Sequence, residues 1–389
     1  MTDAESFAPP VVTSASSPLP TTVRKPPIPA LSGLRTLLAV NVMFFHFSPP
    51  HPAFLSPMIG NAYVFVGFFF LISGFVLGYN YADRPTLSKR TFYLTRISRV
   101  YPVYLLVLAL SIPFLKLERA AHTSAGFIAG LVLTPLALQG WSPTLATFWN
   151  TVGWTVPAEF LLYLLFPFLL LFFASHANRI RTPARLLSVI LLLWLIGMVP
   201  PWLYTILNPD HLPTPATRFS YGLWLRALKY SPAAYICTFA AGVLLARLHA
   251  ILPLTRMRRS LLALLGLGGL ALFFAFLVGR IPYIVIHGSL LLPLFSMLLL
   301  GLADANPIAA IFSWTPLVRF GETTFALYLL HFNALLLIQY YKIAERLHVE
   351  RFDPWISYAA VMLLALLVLH CYERPVRKFM LRLFLPPAQ

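Results

Sequence analysis

The sequence predicts an all-α fold, a polytopic bundle of about ten membrane-spanning helices. Three observations lead there. The 389 residues have a mean hydropathy of +0.78, with 59% hydrophobic and only 11% charged side chains, more apolar surface than any soluble core requires. Runs of near-spanning length recur at 33–48, 61–82, 100–116, 153–175, 184–204, 231–249, 260–279, 281–301, 323–341 and 354–372. The 29 Lys and Arg, against 12 Asp and Glu, give a net charge of +17. They lie in short groups between apolar runs, which is the pattern of membrane topology rather than of nucleic-acid binding.

In chain order, residues 1–30 form a different material. Pro9-Pro10, Ser14 to Pro20 and Pro26 to Pro29 give a Pro/Ser/Thr-rich tail without apolar periodicity, which reads as disordered. The membrane domain is expected over 31–380, and a short tail over 381–389. The run 124–139 is brief and holds Pro135. Counting basic residues decides its reading. With a cytoplasmic N-terminus and no crossing at 124–139, twenty of the 29 Lys and Arg fall inside; a crossing there brings the two sides nearly level. The positive-inside bias therefore predicts ten spans in a bacterial inner membrane, both termini cytoplasmic, with 124–139 re-entrant or interfacial on the outer side. Cys237 and Cys371 lie far apart in expected spans. They suggest neither a disulfide framework nor a metal site, and no metal is expected.

Chemistry-bearing residues interrupt these runs. Arg35 and His46 stand eleven residues apart in the first. Eleven steps of about 100° make roughly three turns, so both face the same way, about 16 Å apart along the axis. An ionisable residue at membrane depth is costly and marks a functional site by default. The pair also fits a plainer reading, in which Arg35 snorkels to the surface and His46 caps its helix. Glu159 sits among Phe160, Leu161, Leu162 and Tyr163, where a lone carboxylate is costly. The topology puts it at the depth of His46, so a His46–Glu159 pair would relieve both burial costs.

Lys89, Arg90, Arg96 and Arg99, interleaved with Tyr93, Tyr101 and Tyr104, form a basic cluster before the third run. Arginine forks suit a polyphosphate ligand, though topology anchoring explains the cluster as well. His331 and Asn333 lie well inside the ninth run, and Glu373 with Arg374 reads as a helix-end ion pair. Ser73-Gly74-Phe75 and Gly266 to Gly269 read as close-packing sites between helices. The loop 205–230 carries Asp210, His211, Arg218, Tyr221, Trp224 and Arg226, either a sugar-binding set or an interfacial aromatic belt.

Several segments together are familiar. Leu31-Ser-Gly-Leu-Arg-Thr-Leu-Leu-Ala-Val through Phe44-Phe-His-Phe47 resembles the opening helix of the membrane acyltransferase type 3 family, with its Arg/Lys, ten residues, His pattern. Phe68 to Val76, the basic segment Arg90 to Tyr104, Trp154 to Tyr163, Phe320 to His331 and Tyr372-Glu-Arg-Pro375 resemble that family's further motifs, in the same order. One departure is Pro157, just before Ala158-Glu159. A proline in a helix's first turn is tolerated. The resemblance implies an integral membrane O-acyltransferase that moves an acyl group, usually acetyl, from cytoplasmic acyl-coenzyme A to a hydroxyl of a carbohydrate-like acceptor outside. Acyl-coenzyme A is then a co-substrate, and no permanently bound cofactor is expected. On that basis His46, Glu159 and Arg35 are the expected catalytic residues. Arg35, Arg90, Arg96, Arg99 and Tyr101 are expected to hold the donor, and Trp154, Tyr163, His331 and Asn333 the acceptor. The residues alone leave a second class open, a secondary transporter or flippase with a midplane polar site.

Overall fold

The computed structural model describes residues 25–82 and 87–385, and among them all regular structure is helical. The expected tail lies almost wholly outside the described residues. Among the described residues, eight helices are long and apolar enough to cross a membrane. A ninth span is broken: Thr315–Gly321 and Thr324–Tyr340 pass together but meet at a 74° bend. The opening helix α1, Pro29–His46, has 18 residues but is less apolar, because Ser32, Arg35, Thr36, Asn41 and His46 interrupt it. With α1, each of the ten runs marked in the sequence corresponds to a helix or a helix pair. The chain is thus an integral membrane helical bundle.

Two boundaries differ from expectation. The third span is the helix α3, Lys89–Leu110, after α2, Val64–Tyr81. The basic cluster is therefore part of the helix instead of preceding it, started by a Ser88 side chain that accepts from the Thr91 N–H. Its arginines accordingly obey helical periodicity. The run 124–139 supplies only α4, Ser124–Leu133, whose ten residues reach about 15 Å against a hydrocarbon core of about 30 Å.

Packing follows from small residues. Helix α2 lies against the helix Ile236–Ile251. A Cβ on Gly242 would stand 2.2 Å from the Leu71 carbonyl oxygen, and one on Gly74 2.1 Å from that of Phe239. Only hydrogen fits at either position, as in small-residue membrane interfaces. Gly266 and Gly269 press on Leu298 and Leu294 in the same way. Helix α1 is wedged against the short helix Thr315–Gly321, where the Thr36 hydroxyl donates to the Leu317 carbonyl at 2.7 Å. This contact fixes the rotation of α1, and so the direction in which Arg35 points.

Candidate active site

Arg35 and His46 line two neighbouring cavities on the same side of α1. The first, about 140 Å³, is lined by Arg35, Arg96 and Arg99 with Glu159, Tyr163, Thr155, Ser73 and several aromatics. The second, about 260 Å³, is lined by His46 with Tyr63, Trp154, Arg218, Lys229, Tyr230, Tyr283 and His287. Val66 and Tyr328 belong to both walls. The two chambers therefore meet at Tyr328, the arginines on one side and the imidazole on the other. The eleven-residue spacing produces this arrangement: three helical turns carry one face of α1 from the first chamber to the second.

The arginine chamber is built by helix periodicity. Arg96 and Arg99 are i, i+3 on α3 and share a face. Arg96 also lies over the rings of Phe92 and Tyr163, each at 5.8 Å, with a buried Nε that has no hydrogen-bond partner among the described residues. Opposite, on the helix α5, Thr155–Ser175, Tyr163 donates a short hydrogen bond to the Glu159 carboxylate four residues earlier. Arg99, Arg96 and Arg35 all act electrostatically on that carboxylate. One carboxylate thus shares the chamber with three guanidinium groups, which leaves an excess of cationic side chains. Pro157 lies in the first turn of α5 and leaves Glu159 facing inward, as expected.

Several expected members are elsewhere, for reasons that the same periodicity supplies. Arg90 lies nine residues from Arg99, about 180° around the helix. It is exposed and donates to the Phe384 carbonyl at 3.1 Å. Tyr101, two residues past Arg99, turns away and donates to the Pro135 carbonyl at 2.8 Å. Neither reaches the arginine chamber. Tyr163, expected with the acceptor, is in that chamber instead. Asn333 is buried and donates to Ser111 Oγ at 2.6 Å and the Trp149 carbonyl at 3.1 Å. It ties helices together and lines neither cavity. Glu373 does not pair with Arg374, which bonds to Glu322 instead.

The anticipated pairing of His46 with Glu159 is likewise not formed. Glu159 lies in the arginine chamber, and the ring beside His46 is a second imidazole. The ring centroids of His46 and His331 are 5.3 Å apart, and Phe332 packs edge-on to His46 at 5.0 Å. His331, expected with the acceptor, is buried in the helix Thr324–Tyr340 and lines neither cavity. Its Nδ1 lies 2.7 Å from the Tyr328 carbonyl, one helical turn back. A carbonyl only accepts, so Nδ1 carries the proton and Nε2 keeps its lone pair. That Nε2 is buried without a hydrogen-bond partner among the described residues.

The rest of the second chamber comes from segments distant in sequence. Trp154, at the start of α5, stacks with Tyr235 and tilts onto Tyr230. Lys229, in the short helix Leu223–Tyr230 outside the spans, is only 5% exposed. Its ammonium lies over the rings of Tyr230 and Tyr283 at 5.3 and 5.2 Å and donates to the Arg218 carbonyl at 3.2 Å. Burial, with Arg226 nearby, lowers its pKa to about 8. His287 stacks on Tyr63 with ring centroids at 5.4 Å. Of the loop 205–230, only its Arg218 and Phe219 enter this chamber with Lys229 and Tyr230. Tyr221 and Trp224 stay exposed, Arg226 donates to the carbonyls of Pro143 and Thr144, and Asp210 caps the Leu223–Tyr230 helix.

Lys229, His287 and Tyr63 carried no sequence signal that set them apart from ordinary aromatic or basic residues near a membrane interface. Tyr328 had one legible cue, its i, i+3 relation to His331. No group of three or more His, Cys, Asp or Glu among the described residues is arranged to hold a metal.

A membrane-embedded helical bundle with a cationic chamber adjoining an imidazole-lined one is the class that the fold and the site define. A family model described as an acyltransferase domain, that of the type 3 acyltransferases, matches residues 28–370, and the chain belongs to that family. It is similar to acyltransferase MdmB of Streptomyces mycarofaciens, 30% identical over 151 residues, covering 36% of this chain and 38% of that one. It is also similar to peptidoglycan O-acetyltransferase OatA of Listeria monocytogenes serovar 1/2a, 23% identical over 376 residues, covering 90% of this chain and 56% of that one. The chain thus spans little more than half the length of these relatives at most. No solved structure matches it.

Proposed function

We propose that this protein is an integral membrane O-acyltransferase that takes an acyl group, acetyl in the usual case, from cytoplasmic acyl-coenzyme A and transfers it to a hydroxyl of a carbohydrate-like acceptor at the outer side. The observation that carries this reading is the adjacency of two unlike chambers that share Tyr328 and Val66 as lining residues. Three guanidinium groups in one suit the phosphates and polar arm of the donor. His46 on the wall of the other, with the His331 ring packed beside it, suits acid–base work on a hydroxyl. The excess of basic residues on the Arg35 side of the bundle supports a cytoplasmic donor mouth.

In this mechanism the thioester is presented past Tyr328 to His46. His46 takes the proton of the acceptor hydroxyl as the oxygen attacks the thioester carbonyl. The tetrahedral adduct collapses, the C–S bond breaks, and the imidazolium returns the proton to the departing thiolate. The products are the ester and free coenzyme A. His331, with its protonated Nδ1 fixed on the Tyr328 carbonyl, is a positioning residue that holds the His46 ring and excludes water beside it. Glu159 positions Arg35, Arg96 and Arg99 instead of orienting the imidazole.

The test is transfer of a labelled acetyl group from acetyl-coenzyme A to a sugar hydroxyl by purified protein in lipid nanodiscs. His46→Ala should abolish ester formation while the protein remains folded. A transporter of the same acceptor would move it without consuming thioester. Thioester consumption that is absent in the wild type, or unaffected by His46→Ala, contradicts the proposal.

A further inference from the structure

We propose that the His46 chamber recognises an anionic group, a carboxylate or a phosphate, carried by the acceptor. The inference rests on the reading of that chamber as the acceptor side and deepens it by naming a substrate class. The two chambers differ in how their charge is balanced. In the first, Glu159 faces Arg35, Arg96 and Arg99. The second has two cationic side chains, Lys229 and Arg218, with His46 and His287, and no Asp or Glu on its wall among the described residues. The acidic residues on adjoining segments are engaged elsewhere. Asp210 accepts from the N–H groups of Trp224 and Leu225 and from the Tyr204 hydroxyl. Glu118 accepts from the Trp149 N–H and pairs with His122.

Lys229 makes the imbalance costly. A buried ammonium ordinarily has a carboxylate partner. Here it has two aromatic faces and one carbonyl, which occupies one of its three donors. Arg218 sits at the exposed mouth over the rings of Phe45 and Phe219, with a single long bond of 3.4 Å to the Gly60 carbonyl. An anion between these two cations would supply the missing charge. The ring walls of Trp154, Tyr63, Tyr230 and Tyr283 would pack against the apolar faces of a sugar. Neutral hydroxyls elsewhere on that sugar would be free to approach His46.

Binding measured without donor separates this inference from the proposed reaction. The full chain in nanodiscs is titrated with methyl glucoside, methyl glucuronide and methyl glucoside 6-phosphate. One or both anionic sugars should bind at least about tenfold tighter than the neutral one, as charge-assisted hydrogen bonds require. The better of the two identifies the anion. Lys229→Gln should reduce the ratio at least fivefold, and Lys229→Arg should restore most of it. Arg218→Gln, at the exposed mouth, should reduce the ratio even if Lys229→Gln fails to fold. Equal binding of neutral and anionic sugars overturns the inference, as does a preference that survives in both glutamine variants. A wild type that shows the preference but transfers no acyl group upholds this inference and refutes the proposed reaction.

Discussion

The two chambers that share Tyr328 are made differently, and the difference is instructive. Both walls draw on segments far apart in sequence, but the charged groups of the arginine chamber come mostly as local pairs. Arg96 and Arg99 come from one turn of α3, and Glu159 and Tyr163 from one turn of α5. The chamber carries its own counter-charge. The His46 chamber is assembled from far-separated segments around residues 42–66, 151–154, 218–230, 283–287 and 328, and it has cations without a carboxylate. A site that balances its own charge can hold a ligand by position. One that does not depends on the ligand to complete it.

The comparison is broken most severely at the imidazole. In the proposed reaction His46→Ala should lower kcat by roughly 10² to 10⁴, the range of positioned acid–base catalysis, with little change in donor KM. An equal rise in donor KM would merge the two chambers into one binding site. Next are the arginines. Arg96→Gln or Arg99→Gln should raise donor KM by about ten- to a hundredfold, since charge-assisted hydrogen bonds contribute about 1.5–3 kcal/mol each. Acceptor KM should stay within about twofold, and steady-state kinetics in both substrates would read the split.

A smaller effect comes from Lys229. Its pKa is lowered to about 8, so its charge is complete well below that pH and is lost as pH rises through it. The groups facing it are Arg218, Arg226, Tyr230, Tyr283 and His287. The preference for anionic over neutral sugar should therefore weaken between about pH 7 and pH 9, and the Lys229→Arg variant should keep it across that range. Smallest of all is Arg90→Gln. Arg90 lies on the same helix as Arg96 and Arg99 but on the opposite face, so donor KM should change less than about twofold.

Much of the fold was legible because a bilayer enforces it. Long apolar runs, basic groups between them and the shortness of 124–139 mark the ten helical segments. The common face of Arg35 and His46 was legible for the same reason, a period of 3.6 over three turns. Periodicity also held information about the arginines, since Arg90 and Tyr101 are set off Arg99 by about half a turn. A cluster read as composition hides that separation. The partner of Glu159 was of another kind. Depth alone made His46 and Glu159 look like neighbours, whereas lateral packing decided it: the face of α5 bearing Glu159 turns to α3 and the arginines, and α1 presents His46 to His331. For α1 that choice rests on contacts such as Thr36 on Leu317, whose partner no local pattern names. Lys229 and His287 were hidden for the same reason.

The most direct test of the central claim, one path with a donor mouth at the arginines and an acceptor chamber at His46, uses proteoliposomes of defined orientation. Acetyl-coenzyme A is confined to the face bearing Arg96 and Arg99, and the sugar acceptor to the other face. The account predicts ester on the acceptor face and free coenzyme A on the donor face, both lost in His46→Ala. Ester formed only when the two substrates share one face would contradict it.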